Sequence, residues 1–338
     1  MVPLPLAGRW ARTHSYRNPW TRSYGLARSL LALGMAGTLL LTPPSALFSP
    51  EVGIPSGSCR GLSNASLFCV LPGHAHQRSV LVPIAGVALL LISSGWRPRY
   101  TALIQWWIAF SVFSSVTLQD GGDQVTAVLT LLVLPLALTD GRRFHWSSVD
   151  ASDCSHPPGI RHLVATWSVW LLQLQVAAIY LDASISKLGV PEWLNGTALY
   201  YDLKLPMFEA TGAVSSVFGT LLSHAWIVAP LTRAALLLEL TLGLALFFPT
   251  RVRRRLCGLG IGFHLTIAIM LGLVSFGFAM AAALVCYLWP ERVEGGVWMR
   301  SGVFRLDTTL MTDAATGVLA AGAGAEEGIA VSHTARVM

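Results

Sequence analysis

An all-α, polytopic transmembrane helical bundle is the fold class predicted for this chain, and three observations carry that prediction. Only 12% of its 338 residues are charged and 54% are hydrophobic, whereas a soluble domain carries roughly 25% charged residues. Mean hydropathy is +0.59. Apolar runs follow one another along the chain, with arginines gathered in alternate connections between them.

The runs fall at 25–42, 79–95, 101–118, 125–139, 163–186, 230–249, 256–273 and 275–289. A helix needs roughly 20 apolar residues to cross hydrocarbon, with a lower limit of about 17. The fourth and eighth runs are short, so each borrows flanking residues or tilts little. The expectation is about eight spans, with seven as the alternative. The first run does not read as a signal peptide: its 24-residue polar lead is long for an n-region, and no clear small-x-small site follows.

The connections set the orientation. Arg9, Arg12, Arg17 and Arg22 precede the first run. Arg97 and Arg99 mark the second connection, Arg142, Arg143 and Arg161 the fourth, and Arg251, Arg253, Arg254 and Arg255 the sixth. The intervening loops are poor in arginine, so both termini are expected to be cytoplasmic. The same pattern explains the net charge of +6 without a nucleic-acid partner. The chain therefore divides into a cytoplasmic N-terminal segment (1–24), a transmembrane domain (25–290) and a flexible, Gly/Ala-rich cytoplasmic tail (291–338). It shows no internal repeat.

Outside the membrane, Cys59 and Cys69 lie ten residues apart in a Pro/Gly/Ser-rich loop with little else to hold it. An extracytoplasmic compartment is oxidising, so a disulfide is expected. Cys154, Cys257 and Cys286 read as ordinary small residues, and no pair has metal-ligand spacing. His74 and His76 form a lone H-x-H, too weak a signal for a metal site. The second outside loop is D-G-G-D-Q, Asp120 to Gln124. One reading is a tight turn, with glycines supplying positive φ and an aspartate capping the fourth helix. The other is a carboxylate pair that binds a cation or pairs with Lys187.

Within the membrane, the fifth run holds most of the polar groups. At 100° per residue, Thr166, Gln173, Tyr180, Ser184 and Lys187 fall within about 60° of one another. Gln175, Asp182 and Ser186 form a second stripe nearly opposite. Two polar stripes predict a helix buried in the bundle, with Asp182 and Lys187 pointing different ways and finding counter-charges elsewhere. Asp120, Asp123, Glu192, Glu239 and Arg233 are the groups available. Only Lys187 and Lys204 are lysines, against 21 arginines. An ammonium releases its proton when desolvated and a guanidinium does not, which marks Lys187 as a candidate base. Glu239, in L-L-L-E-L-T-L-G, and His264, in G-F-H-L-T, lie within later runs and are a plausible pair, as a polar clasp or a functional site. Arg28 is expected to snorkel to the cytoplasmic face. Residues 188–229, with Trp193, Tyr200, Tyr201 and Trp226, read as an interfacial or re-entrant segment capping Lys187 from outside.

The segment Y-L-D-A-S-I-S-K-L-G-V-P-E-W-L-N-G (Tyr180 to Gly196) resembles the K-L…W-x-x-G signature of the HTTM domain, the membrane part of vitamin K-dependent gamma-carboxylase and its bacterial relatives. N-P-W-x-x-x-Y-G-L-A-R-S-L-L (Asn18 to Leu31), S-L-F-C (Ser66 to Cys69), D-G-G-D-Q and the Glu239 and His264 helices resemble its SdpB-like sporulation-delaying branch. The resemblance covers roughly residues 15–290. In the carboxylase the signature lysine is held to deprotonate a reduced, vitamin K-like quinone. The matching residue is Lys187, while Ser186 stands where the carboxylase has a second lysine.

The branch implies a multi-pass protein of the bacterial plasma membrane, acting in maturation or export of a secreted antimicrobial peptide. Membrane lipids, the peptide precursor and a small SdpA-like protein are the implied partners. Two other readings stay open: a quinone-dependent enzyme of the carboxylase type, and a transporter or immunity protein without chemistry. The expected site has Lys187 as base with Asp182, Glu239 and His264. Tyr180, Ser184, Trp193, Asn195, Gly196, Asp120 and Asp123 are the expected binding residues. No metal is expected, and a quinone is the only cofactor implied.

Overall fold

Hydrocarbon offers no hydrogen bonds to a polypeptide backbone, so apolar runs of this length close their bonds internally as helices. The computed structural model describes residues 18–48, 59, 61–70, 74–117, 119–147, 159–202, 204 and 213–289, without the side chains of 74–77 and 213–216. The expected cytoplasmic tail, most of the N-terminal segment, Cys154 and the His74 and His76 side chains lie outside the described residues. Within them each apolar run is a helix, and no strand forms beyond a single isolated bridge.

The helices are α1 (Arg22–Leu41), a one-turn α2 (Pro44–Leu47), α3 (His74–Ser93), α4 (Pro98–Ser115), α5 (Gly121–Leu138) and α6 (Ile160–Leu188). Three short ones follow, α7 (Pro191–Asn195), α8 (Ala198–Asp202) and α9 (Ala213–Leu222). Then come α10 (Ala225–Gly243), α11 (Thr250–Leu271) and α12 (Val274–Leu288). By length and composition α1, α5, α6, α10 and α11 are able to cross a membrane. Arg78–Ser93 and α12 are shorter apolar helices.

The shortest of the main helices is the most enclosed. α12 packs against α1, α5, α6 and α11, and Ala279, Met280, Ala282, Ala283, Leu284, Val285, Tyr287 and Leu288 are all buried. Its alanines let neighbours approach closely, as small residues do between membrane helices. Gly34 of α1 is part of this fit, since a methyl group there would meet Phe278 Cβ at 2.7 Å. A second cluster joins α1, α3 and α4 to Leu47, Phe48 and Phe68 at one end. There Cys59 and Cys69 form the expected disulfide, with Cα atoms 5.6 Å apart.

The opposite end is knitted by two arginine-bearing loops. Arg97 N–H donates to Arg143 O (2.7 Å) and His145 N–H to Gly95 O (3.1 Å). The His145 ring, fully buried, fills the space left by Gly25 and Gly95. Gly95 has φ +83°, and an added Cβ would lie 2.5 Å from that ring, so both backbone and space require glycine. Arg28 does not snorkel. It is 1% exposed, its Nε donating to Gln105 Oε1 (2.9 Å) and its Nη2 to Thr101 Oγ1 (2.6 Å). Its side chain reaches from α1 to α4, where a fork of donors finds two acceptors.

α6 also departs from expectation. It packs on α5, α10 and α12, but only one of its polar stripes is enclosed. Tyr180 and Ser184 are buried, while Asp182 and Ser186 are exposed. The helix is packed along one side rather than surrounded.

Candidate functional site

Four main helices and the short segment that follows α6 build the polar cluster. α6 supplies Tyr180, Ser184 and, in its last turn, Lys187. α10 supplies Glu239 from its buried side. α11 supplies His264, and α12 supplies Phe276. The chain leaves α6 at Gly189, where Pro191 opens α7, and Gly196 closes α7 in the left-handed region at φ 84°. An added Cβ at Gly196 would meet Ala229 Cα at 2.9 Å, so this turn fits closely onto α10. Trp193 is thereby held with its ring 4.8 Å from Lys187 Nζ.

Lys187 Nζ donates to Glu239 Oε2 in an ion pair. The lysine side chain is 23% exposed and the glutamate 8%. Beside them, Tyr180 OH and His264 Nε2 are 2.8 Å apart, and both side chains are almost wholly buried. Ser184 Oγ donates to Tyr180 O (2.7 Å), an ordinary back-bond along the helix. His264 meets the Phe276 ring edge-on, with centroids 5.4 Å apart. The two polar pairs lie within electrostatic reach of each other, Tyr180 of Glu239 and His264 of Lys187. Glu239 and His264 are thus not partners of each other, as the sequence had led one to expect. Each takes a partner from α6, because α6 packs beside α10 and presents Tyr180, Ser184 and Lys187 on one face.

Asp202, in α8, is a member that the sequence did not single out. Burial raises its carboxyl above the usual range, and the nearby Lys187 charge draws it back down. No spacing in Y-Y-D marks it, since α8 reaches the site only through the two intervening turns. Phe276 likewise carries no signal of its own.

The remaining expected residues lie elsewhere. Asp182 is exposed on the far side of α6. Asn195 is exposed, with its carbonyl accepting from Arg233 Nη2 (3.4 Å). Asp120 and Asp123 form a reciprocal capping box at the start of α5: Asp120 Oδ1 accepts from Asp123 N–H (3.0 Å) and Asp123 Oδ2 from Asp120 N–H (3.2 Å). Ser275 Oγ also donates to Asp120. Gly122 allows this, because its Cα lies against the Phe276 backbone, where a Cβ would be 2.6 Å from Cα. The D-G-G-D turn therefore caps α5 and staples it to α12, and Lys187 takes Glu239 instead. Among the described residues no three His, Cys, Asp or Glu side chains are grouped to hold a metal.

The sequence profile of the HTTM domain matches residues 79–291, which includes every member of this cluster. The chain belongs to the HTTM domain family. Its relatives include the sporulation-delaying protein SdpB of Bacillus subtilis (strain 168), 33% identical over 273 residues, covering 81% of this chain and 83% of SdpB. They also include the uncharacterized protein YitO of the same organism, 35% identical over 275 residues, covering 81% of this chain and 87% of YitO. No solved structure matches the chain. This HTTM protein is thus a helical membrane protein related to SdpB along most of its length.

Proposed function

We propose that this HTTM protein is a multi-pass protein of the bacterial plasma membrane that acts in maturation or export of a secreted antimicrobial peptide. In this reading about eight helices cross the membrane, both termini are cytoplasmic, and the Lys187 cluster opens outward beneath the α7–α9 segment. One observation carries the reading: a lysine, a glutamate, a tyrosine and a histidine from three membrane-length helices converge. Ionisable groups inside a membrane bundle are costly and mark functional sites by default. The similarity to SdpB supplies the class of process, and the small SdpA-like partner belongs to the same proposal.

A peptide suits the cluster. The Lys187–Glu239 pair offers one cation and one anion, Trp193 offers an aromatic face, and the lysine retains some access to solvent. A reduced quinone suits it less well. A base must meet the quinol hydroxyl, and Lys187 Nζ is already directed at Glu239.

The test is secretion of active peptide from cells carrying the chain together with its adjacent genes, with membrane accumulation of each variant verified. Lys187→Ala is expected to abolish secretion. Undiminished secretion by Lys187→Ala would refute the proposal.

A further inference from the structure

His264 Nδ1 is buried and has no hydrogen-bond partner among the described residues. Its other ring nitrogen, Nε2, is 2.8 Å from Tyr180 OH. Hydrogens can be placed on this pair in two ways. If Nε2–H donates to the phenol oxygen, the phenol's own proton is left without an acceptor, and the Nδ1 lone pair is unmet as well. If the phenol donates to Nε2, the phenol proton and Nε2 are both satisfied, and the single unmet group is an Nδ1–H. A buried unmet donor or acceptor costs about 1–3 kcal/mol, so the second arrangement is favoured. It leaves one buried N–H without a polar partner among the described residues, on a ring that feels the Lys187 charge.

We propose that His264 Nδ1–H is a ligand-binding donor: it hydrogen-bonds a carbonyl oxygen of whatever enters the Lys187 cluster. Tyr180 is a positioning residue that fixes the tautomer. The inference rests on the reading of this cluster as a functional site, and it adds the group that the ligand must present there. Peptide bonds and quinones both carry such an oxygen. Buried polar groups are almost always paired, and a donor held ready without a partner acts without rearrangement when its acceptor arrives.

Two measurements test this on the full-length protein. In detergent-solubilised protein with ring-15N histidine, the resonances lost in His264→Gln identify His264. Its proton is expected on Nδ1, and Tyr180→Phe is expected to release that preference. A proton on Nε2 in the unsubstituted protein overturns the inference whatever the protein's function is. Titration with an N-acetylated peptide amide and, separately, with menadione distinguishes the two sources of the oxygen. The probe that shifts the Nδ1–H signal names its source, and no shift with either removes the ligand role.

In the secretion assay, His264→Asn keeps an amide donor where Nδ1 stands, whereas His264→Gln places its amide where Nε2 stands. The asparagine variant is expected to retain more secretion than the glutamine variant. The glutamine variant is expected to lose about 10-fold or more, the loss of one hydrogen bond in a desolvated site. If Lys187→Ala abolishes secretion and His264→Gln does not, this inference fails while the functional reading stands. If Lys187→Ala has no effect, the functional reading fails, and the tautomer and titration still decide the role of Nδ1.

Discussion

The Lys187–Glu239 pair predicts an asymmetry between its two halves. Glu239 is 8% exposed and Lys187 23%. Replacing Lys187 with Met strands a carboxylate among α6, α10 and α11 with little access to water. Breaking a buried pair in this way typically costs about 3–5 kcal/mol. Replacing Glu239 with Gln leaves an ammonium that still rests on the Trp193 ring and still reaches solvent. Its loss is expected to be smaller, about 1–3 kcal/mol, because snorkelling and cation–π contact compensate. The double variant Lys187→Met/Glu239→Gln is expected to be less damaged than the sum of the two, with a coupling of about 1–3 kcal/mol. Thermal unfolding of the purified protein in one detergent reads all four species. On the order of 2–4 °C per kcal/mol applies to chains somewhat smaller than this one. A coupling below about 0.5 kcal/mol, or Glu239→Gln more damaging than Lys187→Met, would refute the geometry.

Three further outcomes follow from particular residues. Burial and the Arg28 and Arg142 charges lower the His145 pKa to about 3, against about 6.5 in an unfolded chain. Between those values the unfolded state binds a proton that the folded state refuses, so stability falls as pH drops, by about 1.4 kcal/mol per pH unit. His145→Phe should flatten that slope, and an unchanged slope contradicts the assignment. Reducing the Cys59–Cys69 bridge, or replacing both cysteines with alanine, should lower stability by about 2–4 kcal/mol, and no change would mean that the loop is held otherwise. In intact cells an impermeant thiol reagent should label Asn195→Cys and not Arg255→Cys, and the reverse pattern overturns the orientation.

Apolar length was the most legible property of the sequence: each run became a helix because hydrocarbon-length segments have few other ways to satisfy their backbone. The disulfide was legible because its loop held nothing else to organise it. Burial of each face was harder to read. Two polar stripes on α6 implied a surrounded helix, yet the Asp182 stripe is exposed, since period alone does not say which face meets a neighbour. Pairing was harder still. Glu239 and His264 were expected to meet each other because they lie on successive helices. Their real partners, Lys187 and Tyr180, sit on α6, which packs against α10 directly. The buried polar contacts of Arg28, with Thr101 and Gln105 across more than 70 residues of sequence, have no local signature.

Arg28 and Lys187 differ as cations, and the difference is chemical. Arg28 is wholly enclosed, its planar fork spread over two fixed acceptors on α4. A guanidinium there binds in one geometry, which suits a fixed joint between helices. Lys187 is a point charge on a flexible stem, paired with a single carboxylate, lying on an aromatic face and partly open to water. Such a cation can meet a second anion beside Glu239 without unpacking α6, since its stem stays in place while its head moves. That would weaken the hold on Glu239, whose charge Tyr180 feels, and Tyr180 in turn holds the His264 tautomer. A ligand arriving at Lys187 would therefore change the setting of His264 through one intervening side chain. On this reasoning Tyr180→Phe should uncouple the two pairs while leaving the Lys187–Glu239 contact intact.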